Sequence, residues 1–187
     1  MTPLDPNAVR RRTLFKALAL GPLGPAFAGS PAGAATEART LAFHHTHTGE
    51  RLQVVYFAHG GYLADALDRV DRLLRDFRTG ERHPIDPRLL DTLCAVGLAC
   101  GGGIFEIISG YRSPGTNAML RRASTGVAEH SLHPVGHAID VRLVGTPPAR
   151  LRDAAIALGR GGVGYYPGSD FVHLDIGRVR TWGPRTG

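Results

Sequence analysis

The hydrophobic period changes near residue 60, and that change constrains the fold of this 187-residue chain more than any other feature. From residue 39 the apolar residues alternate: Leu41 and Phe43 come before the turn-forming run Thr46-His47-Thr48-Gly49-Glu50, and Leu52, Val54 and Tyr56 after it. A period of two buries one face of a strand pair joined by a short loop. Over residues 63–78 the spacing becomes three to four. Leu63, Leu67, Val70, Leu74 and Phe77 share one face, while Asp65, Asp68, Arg69, Arg72, Arg75 and Asp76 share the other. That pattern predicts an amphipathic helix. A chain with both periods has to pack helices on a sheet.

The remainder repeats the alternation of element types. Asp86 and Pro87 read as N-cap and first-turn residues of a second helix, LLDTLCAVGLACG, which three glycines end. Cys94 and Cys100 lie six apart on it, about 9 Å along the axis, too far for an unstrained disulfide, so both are expected to be core thiols. IFEIIS (104–109) predicts a buried strand, SGYRSPGTNAMLRR a turn into a short helix near Asn117, and HAIDVRLV (137–144) a further strand. Pro147 and Pro148 open a helix that Gly159 stops, and the strands VGYY and FVHLDIG follow. The expected fold class is α+β, a small antiparallel sheet flanked by helices.

The N-terminal segment reads differently. Arg10-Arg11-Arg12-Thr13-Leu14-Phe15-Lys16 precedes ALALGPLGPAFAG, about a dozen weakly apolar residues broken by two Gly-Pro pairs, too short for a stable membrane span. Arg11-Arg12 with the following apolar pair and Lys16 resembles a twin-arginine export signal. Residues 1–34 are therefore expected to be a signal peptide, cleaved at Ala32-Gly33-Ala34 or, as second choice, Ala26-Phe27-Ala28. Residues 39–187 are expected to form the mature domain, periplasmic and monomeric. Four basic residues and Asp5 leave with the signal, taking half of the +6 net charge. No basic cluster interleaved with aromatics remains, which excludes a nucleic-acid-binding reading.

Of the nine histidines, four (His130, His133, His137 and His173) share the C-terminal third with Asp140, Asp170 and Asp175. His133 and Asp140 are seven apart in SLHPVGHAID, the first in a Gly/Pro loop and the second in the strand that follows. Gly136 supplies the backbone freedom to fold that loop over its own strand. His173, in a strand able to pair beside Asp140, completes a set of two imidazoles and one carboxylate, a standard catalytic zinc shell with its fourth position open.

These residues resemble a known family. Ser131, His133, Gly136, Ala138 and Asp140 fill every fixed position of S-x-H-x-x-G-x-A-x-D. Asp170-Phe171-Val172-His173 looks like the later [D/E]-x-x-H, and Ser109-Gly110-Tyr111-Arg112-Ser113 the earlier S-G-Y-R-S. Together they resemble the zinc peptidases of the bacterial cell wall that share a fold with lysostaphin-type enzymes, D-Ala-D-Ala peptidases and the hedgehog domain, closest to the murein endopeptidase K branch. The resemblance implies Zn2+ held by His133, Asp140 and His173. It implies Asp170 as general base, although many relatives carry Glu there and Asp is one methylene shorter. It makes Arg112 the stabiliser of the oxyanion, Ser131 a substrate contact, and Asp175 a partner that orients a ligand imidazole.

The implied function is a zinc-dependent peptidoglycan hydrolase that cuts stem-peptide amide bonds, as a cross-link endopeptidase. The alternatives are a D,D-carboxypeptidase or dipeptidase of the same fold, or a noncatalytic zinc-stabilised cell-wall-binding module. Other polar residues receive bland expectations. His137 falls at a variable motif position inside the strand and is not counted as a ligand; His130 lines the cleft. His44, His45, His47, His59 and His83 are expected in solvated turns or strand ends, and Trp182 as a packing anchor. Arg112 has a competing structural reading, a pair with Glu106 or Glu129.

Overall fold

A computed structural model describes residues 38–123 and 130–184. The segment expected to be an export signal, its expected cleavage sites and Glu129 lie outside the described residues. The alternating segments form β1 (Arg39–His45) and β2 (Arg51–Ala58), followed by the two-residue β3 (Gly61–Tyr62). The helix expected over 63–78 is α1 (Ala64–Leu73), shorter than its apolar period. It stops because the next residues serve a loop: Leu74 O accepts from Tyr111 N, and the Asp76 carboxylate turns inward to accept from Arg78 N and Ser113 N. Asp76, expected on the polar face, is thus buried.

In α2 (Pro87–Ala99) the Asp86 side chain caps Arg88 N and Pro87 takes the first turn, as the sequence predicts. Then come β4 (Phe105–Ser109), α3 (Pro114–Ala123), β5 (Ala138–Leu143), α4 (Pro148–Leu158), β6 (Gly162–Tyr166), β7 (Phe171–Asp175) and β8 (Arg180–Trp182). Short 3-10 turns at His133–Val135 and Pro167–Ser169 precede β5 and β7. Both cysteines are free thiols, Cys100 buried and Cys94 half-buried.

The eight strands make one sheet in the order β3-β2-β1-β4-β5-β7-β6-β8. It is mostly antiparallel, but β1 pairs with β4 and β6 with β8 in parallel. Neither parallel pair is foreseeable locally, since each is formed across an intervening helix or strand rather than by a hairpin. Helices α1, α2 and α4 cover one face of the sheet and build the core with Leu41, Phe43, Val54, Tyr56, Ile107 and Val141. The other face carries His44, Glu106, Arg142, Tyr166 and Trp182, all half-exposed. No described helix is long and apolar enough to cross a membrane.

Strand parity corrects one expectation. His45 shares the core face of β1 with Leu41 and Phe43 and is fully buried, not solvated. Burial, foremost, pushes its pKa down to about 4. Its Nδ1 accepts from His47 N at 3.2 Å, while Nε2 has no partner among the described residues. His47 conforms to expectation, exposed and stacked on Phe77.

Candidate metal centre

Register assembles the site. Asp140 of β5 faces His173 of β7, Ser109 of β4 faces Asp140, and Gly164 and Trp182 continue the row across β6 and β8. A bulge in β4 makes this possible. Between Ile107 and Ser109 the register slips by one residue, so Ser109 instead of Ile108 stands opposite Asp140. His133 enters from the 3-10 turn ahead of β5, closed by Gly136 at φ 69°. A Cβ there would collide with the Pro84 carbonyl oxygen, so both the dihedral and the close approach demand glycine.

Three donor atoms converge. His173 Nδ1 lies 2.8 Å from Asp140 Oδ1, His133 Nε2 3.3 Å from His173 Nδ1, and His133 Nε2 3.4 Å from Asp140 Oδ1. Ligands about 2.0–2.1 Å from a tetrahedral zinc stand roughly 3.3 Å apart, so two of the three edges already match and the third opens by about half an ångström. The outer atoms fix the tautomers. His133 Nδ1 donates to Gly110 O at 2.7 Å, and His173 Nε2 donates to Asp175 Oδ2 at 3.1 Å. The inward nitrogens therefore carry lone pairs. Arg112 takes Asp140 Oδ2, leaving Oδ1 inward. Lone pairs of two imidazoles and a carboxylate, buried and aimed at one another, repel unless a cation or shared protons lie between them. Among the described residues this is the group of His, Cys, Asp or Glu that could hold a metal ion.

The electrostatics agree with ligation. Burial keeps His133 neutral by lowering its pKa. Burial acts to raise that of Asp140, but His133 and His173 hold it well below the usual carboxylate range. For His173 burial opposes the charge, yet its bonds to Asp140 and Asp175 outweigh it and raise the pKa, as expected of a site that takes up a proton when no metal competes. Asp175 is depressed despite burial because His173, Arg180 and the N–H groups of Gly162 and Gly177 all satisfy its carboxylate.

Other residues singled out in the sequence take distinct positions. Among the described residues Arg112 pairs not with Glu106 but with Asp140 and, through Nε, with Ser109 Oγ at 2.8 Å. Its loop is clamped by the turn at Leu74–Asp76, a contact no local pattern announces. His137 stands just before β5, not inside it, with Nε2 3.6 Å from Asp86 Oδ2. Trp182 does anchor packing, its Nε1 donating to Tyr166 Oη at 2.8 Å, but its ring also flanks His173 with centroids 5.1 Å apart. Ser131 is half-buried at the head of the loop, and His130 is exposed. Asp170 closes the second 3-10 turn in left-handed conformation at φ 54°, its side chain 60% exposed and Oδ2 3.2 Å from Arg142 Nε.

Comparison with known proteins settles the family. Residues 33–182 match the peptidase M15 family described as peptidoglycan L,D-endopeptidase MepK. The chain belongs to that family. A protein of Haemophilus influenzae named probable peptidoglycan L,D-endopeptidase MepK is 44% identical over 146 residues, covering 77% of this chain and 78% of its own. Peptidoglycan L,D-endopeptidase MepK of Escherichia coli strain K12 is 40% identical over 173 residues, 89% of this chain and 95% of its own. No solved structure matches the chain. The chain is thus a peptidase of a metal-dependent family, and His133, Asp140 and His173 form a cluster that could hold a metal ion.

Proposed function

We propose that this protein is a zinc-dependent peptidoglycan L,D-endopeptidase acting on stem-peptide cross-links, with zinc held by His133 Nε2, Asp140 Oδ1 and His173 Nδ1. The convergence of those three atoms, each oriented by a second group behind it, carries the reading. A three-donor set leaves a tetrahedral ion an open position, whereas a purely structural zinc is closed by four protein ligands. When bound, the ion supplies Lewis acidity toward an amide carbonyl and acidifies water toward neutral pH.

The chain's own residues have distinct parts. Asp170, three residues ahead of His173 at the strand mouth, takes the proton of the attacking water and returns it to the leaving amine. Arg112, fixed by Ser109 and Asp140, offers a permanent positive charge to the developing oxyanion. Asp175 holds the His173 ring in the tautomer that ligation needs. Ser131 contacts substrate. The sheet face beside the metal centre, half-exposed at His44, Glu106, Arg142, Tyr166 and Trp182 among the described residues, suits a cross-linked polymer better than a terminal dipeptide, which favours an endopeptidase over a carboxypeptidase. Every donor comes from one chain, so a monomer suffices. The cell-wall substrate and Arg11-Arg12 support export to the periplasm by the twin-arginine route.

Digestion of purified sacculi with the zinc-loaded mature domain, read by mass spectrometry, tests this directly. The wild type releases peptides cut at an L,D amide. Asp170→Asn keeps its zinc and fold while turnover drops about a hundredfold or more. Undiminished turnover in that variant removes Asp170 as base, and intact cross-links after wild-type digestion remove the endopeptidase reading.

A further inference from the structure

Asp140 and Arg142 are two apart on β5, so both side chains leave the same face of the sheet, one pleat or about 7 Å apart along the strand. Arg142 is held by its inner nitrogen. Nε donates to the Asp170 carbonyl at 2.6 Å and lies 3.2 Å from Asp170 Oδ2. Its outer edge is otherwise engaged only at long range: Nη1 stands 3.8 Å from Glu106 Oε2, beyond a hydrogen bond. Neither terminal nitrogen makes a hydrogen bond among the described residues, and the side chain is 37% exposed. The anchoring carbonyl belongs to Asp170, whose left-handed backbone is uncommon for any residue but glycine. A guanidinium with Nε tied down and Nη1 and Nη2 open has the geometry to take a carboxylate in a two-point grip.

We propose that the Nη1–Nη2 edge of Arg142 binds a free substrate carboxylate, the one carried by the residue whose nitrogen becomes the leaving amine. This rests on the endopeptidase reading above. In an L,D cross-link the acylated nitrogen belongs to an amino-acid head, and that head keeps its own carboxylate on the same carbon, two bonds from the scissile nitrogen. Attacked carbon and carboxylate carbon are then less than about 4 Å apart. A two-point ion pair adds about 3 Å. The carbonyl at the metal cluster and a carboxylate at Arg142 would then lie on the one sheet face that Asp140 and Arg142 share. Asp170 and Glu106 already flank the guanidinium, so a substrate carboxylate is held by the hydrogen-bonding capacity of Nη1 and Nη2 that neither of them uses.

The test uses two non-cleavable cross-link analogues, with a reduced amide at the scissile position, that differ only in carboxylate or carboxamide at this head. Binding to the zinc-loaded protein is measured by calorimetry. Wild type binds the carboxylate form about ten- to a hundredfold more tightly, the range of a charge-assisted pair. Arg142→Gln binds both forms alike, and Arg142→Lys recovers part of the preference. Equal affinities in the wild type, or a preference that survives in Arg142→Gln, overturn the proposal. Were Arg142 merely anchoring Asp170, its loss would weaken both analogues equally and leave the ratio, which also overturns it. Hydrolysis of the parent cross-link is followed in parallel. A preference without hydrolysis supports the subsite and refutes the endopeptidase reading, whereas hydrolysis without a preference refutes the subsite alone.

Discussion

His45 shows what a single side chain can conceal. Its buried imidazole stays neutral to about pH 4, whereas in the unfolded chain it titrates near 6.5. Between those values the unfolded state binds the extra proton, so His45 leaves stability intact above about pH 6.5 and erodes it as pH falls toward 4. In His45→Asn the amide oxygen still accepts from His47 N, but nothing titrates at that position. Chemical denaturation from pH 4 to 7.5 should give the variant a flatter stability profile than wild type, by a few kcal/mol across the window. Parallel profiles would mean that His45 is protonated in the fold. The strand pattern of residues 41–45 contained the parity that buries it, yet the residue type argued for solvent, and parity won because Leu41 and Phe43 fix the face.

At the level of elements, the site depends on how turns meet strands. The loop from His133 to Asp140 folds back only because Gly136 is left-handed and pressed against the Pro84 carbonyl. Gly136→Ala faces both obstacles, of which the left-handed conformation alone costs about 1–2 kcal/mol. Its thermal midpoint should fall, and zinc affinity with it, because His133 moves; unchanged zinc titration would show that the loop tolerates the methyl group. The glycine was readable in sequence as a turn residue. The β4 bulge and the clamp of Asp76 on Ser113 were not, because each joins residues distant in the chain.

For the molecule as a whole, the core and the metal centre occupy opposite faces of one sheet. The core is built without the metal, so the metal-free protein should remain folded. Zinc should raise the thermal midpoint by several degrees through linkage, and a chelator should reverse it. A metal-free chain lacking a cooperative transition would instead make the ion part of the folding machinery, as in small zinc domains. Among the described residues α1, α2 and α4 pack on the face opposite the cluster and carry stability there.

Sequence by itself determined the α+β class, the N-cap of α2, the order of the main elements without the short edge strands β3 and β8, and the choice of His133, Asp140 and His173 as a candidate set, because period, capping residues and motif spacing are local or nearly so. Only the tertiary structure decided which nitrogen of each imidazole faces inward, that Arg112 bonds Asp140, that Asp170 leans on Arg142, and that β1 and β4 run parallel. Those outcomes depend on strand register and on contacts between residues far apart in the chain. A periodic pattern states which face a residue takes, but not which partner waits there.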